Sequence, residues 1–145
     1  MREILFRAKT VKNVHWIWGD LFHAGTEPSD GEFAISYWDD EDGWMNENVQ
    51  PDTIGQFTGL LDKNGKRIFE GDIVECVSWN EYFSKDGKPM EPFRRKMFVD
   101  YRKGGFKMVE PMPEPMKDNE WDIIYDGDII IIGNIYDDPK LLKRH

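Results

Sequence analysis

The sequence predicts an all-β protein: a small barrel-like or rolled sheet with long loops and one short C-terminal helix. Three observations carry this expectation. Short runs of alternating, β-branched and aromatic residues recur along the chain. Gly, Asp, Asn and Pro punctuate them at close spacing. No run before the tail sustains an apolar period of 3.6 residues.

The elements follow in order. "REILFRA" (2–8) alternates, with Ile4 and Phe6 on one side and Glu3, Leu5 and Arg7 on the other. "NVHWIWGDLFH" (13–23) is aromatic and β-branched, and its Gly19-Asp20 reads as a turn or bulge. Residues 24–31 are a loop by composition. "EFAISYW" (32–38) is a strand ended by "DDEDG", where Gly43 suits a positive φ. Pro51 starts an extended segment with Ile54 and Phe57 as core contacts. Asp62-Lys63-Asn64-Gly65 is a hairpin signal, because Asn64 tolerates the left-handed region and Gly65 prefers it.

A short arm, Arg67 to Phe69, then leads through Gly71-Asp72 into Ile73–Trp79. That strand carries apolar residues on both faces, so it is covered on both sides over part of its length. After a second loop (84–92), "RRKMFVDYRKGGFKMVE" (94–110) reads as a hairpin turned at Gly104-Gly105. "PMPEPMKDNE" is a proline-broken connector. Ile129–Ile132 is the most hydrophobic strand. Asp138, Pro139, Lys143 and Arg144 suit the cap, first position and C-terminal end of a short helix. Residues 45–50 and 116–121 are each compatible with a single helical turn.

The 145 residues suit one domain, with an N-terminal β lobe at 1–50 packed on a core at 51–145 as the natural subdivision. Cys76 is the single cysteine, which excludes an intramolecular disulfide and fits a reducing cytoplasm. The N-terminus lacks the long apolar run of a signal peptide, and Ile129–Ile132 is too short to span a bilayer, so no membrane partner is expected.

The net charge of −9 is unevenly spread. Residues 1–55 hold 4 Lys/Arg against 11 Asp/Glu, a balance of −7. Residues 56–108 hold 11 against 8, or +3, and residues 109–145 hold 4 against 9, or −5. The global charge repels a phosphate backbone, and only the middle third can present a basic face.

"EGDIVEC" (70–76) is echoed by "DGDIIII" (126–132). In each, an acid precedes Gly-Asp and an aliphatic run. The expected role is structural: Gly71 and Gly127 permit a tight corner, and Asp72 and Asp128 accept free backbone N–H groups there. The competing reading makes Asp72 and Asp128 a carboxylate pair for acid–base or metal chemistry.

The block "TIGQFTGLLDKNGKRIFEGDIV" (53–74), the ending "IIGNIYDDPKLL" (131–142) and the opening "MREILFRA" together resemble the YopX family of phage and prophage proteins. The resemblance runs over most of the chain, with 10–50 and 78–125 as variable territory. It implies a mainly β, barrel-like domain found in bacterial viruses and integrated elements, and so a bacterial host cell for the cytoplasmic protein expected above. It carries over no catalytic residue.

Other constellations are weak. "DDEDG" and "DKNGK" fail the calcium-loop pattern, since Trp38 and Leu60 occupy the first position counted back from each glycine. His15 and His23 stand eight apart without clustered ligands, so no metal or cofactor is expected. Glu75 beside Cys76 would raise the thiol pKa, which argues against an activated nucleophile. Neither a nucleophile elbow nor a P-loop is present.

Two binding surfaces remain. Arg94, Arg95, Lys96, Arg102, Lys103 and Lys107 share the predicted hairpin with Phe93, Phe98, Tyr101 and Phe106, a pattern that can grip single-stranded nucleic acid by charge and stacking. The bland alternative is a solvated basic face compensating nearby acids. Trp16, Trp18, Trp38, Trp44, Trp79 and Trp121 exceed what a small core encloses, and tryptophan is favoured at interfaces. Candidate binding residues are therefore the six hairpin cations with Trp79 and Tyr101. The expected function is a non-enzymatic accessory module binding a macromolecule, a protein in preference to nucleic acid. A single-strand binder using 93–107 is the first rival, and a hydrolase built on Asp72, Asp100 and Asp128 the second.

Overall fold

A computed structural model of the chain describes residues 2–25, 32–78, 87, 93–123 and 129–143. Among these, eleven strands form two antiparallel sheets, and helix is confined to two short 3₁₀ turns. Neither sheet closes into a barrel, since each has two different edge strands. No helix among the described residues is long and apolar enough to cross a membrane. The chain divides into two compact units, Met1–Gly59 and Leu60–His145.

The first unit contains β1 (Phe6–Lys9), β2 (Trp16–His23), β3 (Phe33–Asp39), β4 (Gly43–Val49), a 3₁₀ turn at Pro51–Thr53 and most of β5 (Gly55–Leu61). The first sheet runs β4-β3-β2-β1-β5 and ends with β6 (Arg67–Phe69). The unit boundary falls inside β5, so Leu60, Leu61 and β6 belong to the second unit. Ala8, Ile17, Ile35 and Val49 form the first core, flanked by Phe6, Leu21, Phe33, Tyr37 and Ile54. The β3–β4 turn is organised by Asp39, whose Oδ1 accepts the N–H groups of Glu41 and Asp42. Gly43 takes φ +76° there.

The second unit adds β7 (Asp72–Ser78), β8 (Phe93–Arg102), β9 (Gly105–Glu110), β10 (Asn119–Asp122) and β11 (Ile129–Asn134), in the order β10-β9-β8-β7-β11. Ile68, Val74, Met97, Val99, Met108 and Ile129 form its core, with Leu60, Cys76, Ile123 and Ile131 packed against them. Ile73 and Val74 are both wholly buried, so β7 is covered on both faces at its start.

Several sequence expectations need correction. Gly19-Asp20 is no turn: β2 runs through it, and glycine is required because a Cβ there would lie 2.1 Å from the Ser36 carbonyl oxygen. Ile4 is exposed and β1 begins only at Phe6. Residues 45–49 belong to β4 and 119–121 to β10, where cross-strand pairing overrides any local helical tendency. The β8–β9 loop is Lys103-Gly104, both with positive φ, and Gly105 already pairs with Arg102. The tail is a single 3₁₀ turn, Pro139–Leu142. The Asp138 carboxylate does not cap it but accepts the Asn134 N–H.

Candidate functional site

The Gly-Asp corner is built from backbone hydrogen bonds. Asp72 is 2% exposed, and its Oδ2 accepts the Phe69 N–H at 2.8 Å. Gly71 takes φ +88°; its N–H donates to Val99 O and its carbonyl accepts the Ile135 N–H, both at 2.8 Å. A Cβ at Gly71 would meet the Tyr136 ring at 2.8 Å. Gly127 and Asp128 lie outside the described residues.

Asp62, which the sequence reading took only as the first residue of the hairpin signal, is as buried as Asp72. Its Oδ1 accepts the N–H groups of Asn64 and Lys66, and its Oδ2 accepts that of Ile131 on β11. Gly65 takes φ +80° in this turn, whereas Asn64 stays outside the left-handed region that the sequence reading allowed it and instead donates its N–H to Asp62. Among the described residues no group of three or more His, Cys, Asp or Glu is placed to share a metal ion. His15 and His23 are not brought together: His15 Nδ1 lies 3.2 Å from Thr10 Oγ1, whereas His23 packs edge-on against Phe33.

The basic hairpin separates into two ends. At its tip, Arg102 bonds Asp100 and Glu120, at 2.9 and 2.8 Å, and Lys103 pairs with the same Glu120. Lys107 is held by Asp122. The Arg102 and Lys103 contacts hold the Glu120 carboxyl below its usual range. Tyr101 is 54% exposed and stacks edge-to-face on Phe106. At the other end Arg94 bonds Glu75 at 2.8 Å, and the Arg95 guanidinium sits over Trp121 at 5.4 Å. Arg94, Arg95 and Lys96 line a groove of about 540 Å³ together with Lys143, Glu110, Asn119 and the apolar side chains of Met112, Leu141 and Leu142. Trp79 lies outside the described residues.

The most distinctive surface lies on the first sheet. β1 sets Arg7 opposite Trp18 and Lys9 opposite Trp16, so these four side chains share a face. On the neighbouring hairpin Trp38 pairs directly with Trp44, their rings edge-to-face at 5.6 Å and 78°. β2 pairs with β1 over Trp16–Gly19 and with β3 only from Asp20 to His23. Past the Asp20–Ser36 pair the two strands no longer pair, and a groove of about 550 Å³ opens there. Trp16, Trp18, Trp38 and Trp44 line it, with His15, Tyr37 and Asp20. Trp18, Trp38 and Trp44 are 50%, 59% and 67% exposed.

Hydrogen bonds fix one wall of this groove. The Tyr37 phenol donates to Glu47 Oε2 at 2.6 Å, which pushes its pKa up to about 12. His15 Nε2 lies 3.7 Å from the same carboxylate oxygen. Acids edge the groove: Asp20 is exposed within it, and Asp40, Glu41 and Asp42 are exposed in the turn joining Trp38 to Trp44. Backbone N–H groups from Asp42 and Glu41 hold the Asp39 carboxyl below its ordinary range. One indole on this face already accepts cations: the Arg7 guanidinium sits 4.9 Å and the Lys9 ammonium 5.6 Å from the Trp16 ring centroid.

The sequence singled out these tryptophans as a group but did not bring them together. The signal was present in two spacings: Trp16 and Trp18 at i, i+2 on a strand, and Trp38 and Trp44 symmetric about a five-residue acidic turn. Tyr37 carried no signal of its own, Asp20 was read only as part of a turn or bulge, and His15 only as an isolated histidine without clustered ligands.

Among solved structures, the crystal structure of protein EF1440 from Enterococcus faecalis is similar in fold. It has a TM-score of 0.54 and 22% identity over 99% of this chain and 100% of that one. No curated protein matches this sequence. The family model described as YopX protein matches residues 5–143. That match begins just before β1 and ends just after the final 3₁₀ turn, taking in every strand of both sheets, and so the chain belongs to the YopX family.

Proposed function

We propose that the protein is a non-catalytic accessory module of a bacteriophage or integrated element, acting in the cytoplasm of the bacterial host. It holds a partner protein on the tryptophan face of its first sheet. The observation that carries this reading is the exposure of Trp18, Trp38 and Trp44, each at least half open to solvent around one groove. Clustered exposed indoles are the composition of interface centres, where covering them releases ordered water and recovers packing contacts.

Charge supports a protein partner over nucleic acid. Arg102, Lys103 and Lys107 are held by acids of β8 and β10, which leaves less of the hairpin's charge for phosphates. A binding role is likewise favoured over hydrolysis. Asp72 is buried holding a backbone N–H, and Asp100 holds Arg102 and the Tyr101 N–H.

The test is crosslinked affinity capture from bacterial host cells, comparing the wild type with Trp18→Ser/Trp38→Ser/Trp44→Ser. Recovery of a protein with the wild type and its loss with the variant is the expected result. Retention of the partner by the variant overturns the reading. So does salt-sensitive binding of single-stranded DNA or RNA that is abolished by Arg94→Ala with Arg102→Ala.

A further inference from the structure

We infer that the tryptophan groove recognises a positively charged, arginine-bearing extended segment of its partner. This rests on the function proposed above and names what that site takes. Three observations converge on it.

The first is charge. The first unit carries 4 Lys/Arg against 11 Asp/Glu, counted over residues 1–59. Asp20 stands in the groove itself, and Asp40, Glu41 and Asp42 stand at the turn between the paired indoles. A neutral apolar segment docked here would strip water from Asp20 without replacing it, whereas a guanidinium satisfies the carboxylate with directed N–H donors.

The second is the chemistry of the rings. Tryptophan is the best of the aromatic side chains at holding a cation over its face. This face already does so intramolecularly, with Arg7 and Lys9 over Trp16. Trp38 and Trp44 meet edge-to-face, so neither ring has both of its faces covered by the other. Guanidinium is planar and weakly hydrated; it stacks on indole at lower desolvation cost than ammonium, which sets the order arginine above lysine.

The third is shape. The groove lies where β2 and β3 cease to pair, between two extended strands. Its lining follows one chain segment from His15 to Asp20 and another from Ser36 to Trp38, a layout that suits an extended chain. Side chains spaced at every second residue of such a segment project to one side, matching the spacing of Trp16 and Trp18.

The experiment uses the full chain and three short peptides that alternate glycine with arginine, lysine or citrulline. Citrulline keeps the shape of arginine and removes its charge. Binding is read from the indole N–H resonances, assigned by single Trp→Phe substitution. The arginine peptide is expected to shift the Trp18, Trp38 and Trp44 signals, with the citrulline peptide weaker by at least about tenfold and the lysine peptide between them. The charge-preserving Trp38→Leu/Trp44→Leu variant should weaken the arginine peptide by about the same factor, and Asp20→Asn should weaken it as well.

Equal binding of the arginine and citrulline peptides overturns the inference, and this measurement needs no variant. Arginine binding unchanged in Trp38→Leu/Trp44→Leu also overturns it, because attraction then comes from diffuse acidity rather than from the groove. The two readings fail separately. A captured partner lost from the triple tryptophan variant but not displaced by excess arginine peptide leaves the docking face standing and removes its cationic occupant. Indole shifts with the arginine peptide, together with a captured partner indifferent to the tryptophans, do the reverse.

Discussion

At the scale of single residues, Tyr37 offers a direct readout of the groove wall. Its phenol ionises more reluctantly in the folded chain than in the unfolded one, being pushed from an ordinary 10.0 to about 12 chiefly by its bond to Glu47. The stability this contributes is fully present below pH 10, and it is lost as pH rises through about 12. A phenolate absorbance titration should show one tyrosine ionising late, and Glu47→Gln should bring it back toward the others. A late tyrosine persisting in that variant would contradict the assignment. Gly19 is the second residue with a sharp expectation. An added Cβ lands 2.1 Å from Ser36 O and 2.9 Å from Ile35 Cγ2. Gly19→Ala should therefore force β3 away from β2 and lower unfolding free energy by about 3 kcal/mol, measured as a drop in the urea midpoint. A glycine inside a strand pattern fits a turn, a bulge or a close approach, and nothing local in the sequence chooses among them. The need for it lies in the backbone of a strand 17 residues further on.

At the scale of elements, the β5–β6 turn does more than reverse the chain. Asp62 ties Asn64 and Lys66 within the turn and reaches Ile131, 69 residues away, on β11. The Lys63 N–H adds a second link, to the carbonyl of Ile129. Asp62→Ala leaves three backbone N–H groups without that acceptor, so the expected loss is about 3 kcal/mol or more by chemical denaturation. Asp62→Asn keeps one acceptor oxygen and should lose less; equal losses would mean that the geometry is held elsewhere. The hairpin was legible because Asp-Lys-Asn-Gly has local turn chemistry, and Gly43, Gly65 and Gly71 take the positive φ that their turns require. The link to β11 was not legible, because a long-range acceptor leaves no periodic trace. The same limit explains the tail, where Asp138 and Pro139 match a helix start but the Asp138 carboxylate bends back to Asn134.

At the scale of the whole molecule, the distribution of charge and indole governs behaviour. The first unit carries most of the −9 net charge and the four groove tryptophans, while Trp121 sits in the second unit beneath Arg95. Because Trp38 and Trp44 are largely exposed, replacing either by Ser should cost about 1 kcal/mol or less. The variant should remain folded by circular dichroism while losing the captured partner. A large fall in thermal midpoint would mean that these rings are structural. Capture should also weaken as salt rises, since the acids around the groove are exposed to screening; salt-independent capture would point to an interface driven by apolar contact alone.

The sequence by itself determined the β class, most strand positions and the local turns, because alternation and turn chemistry act over a few neighbouring residues. It also supplied the family resemblance and the inventory of tryptophans and charges. Tertiary structure alone decided which of these meet. Register placed Arg7 and Lys9 beside Trp16 and Trp18, the end of β2–β3 pairing at Asp20 opened the groove, and cross-strand acids bound Arg102, Lys103 and Lys107. The physical reason is that strand pairing joins residues far apart in the chain, and the partner of each strand is set by the sheet as a whole rather than by the strand's own residues.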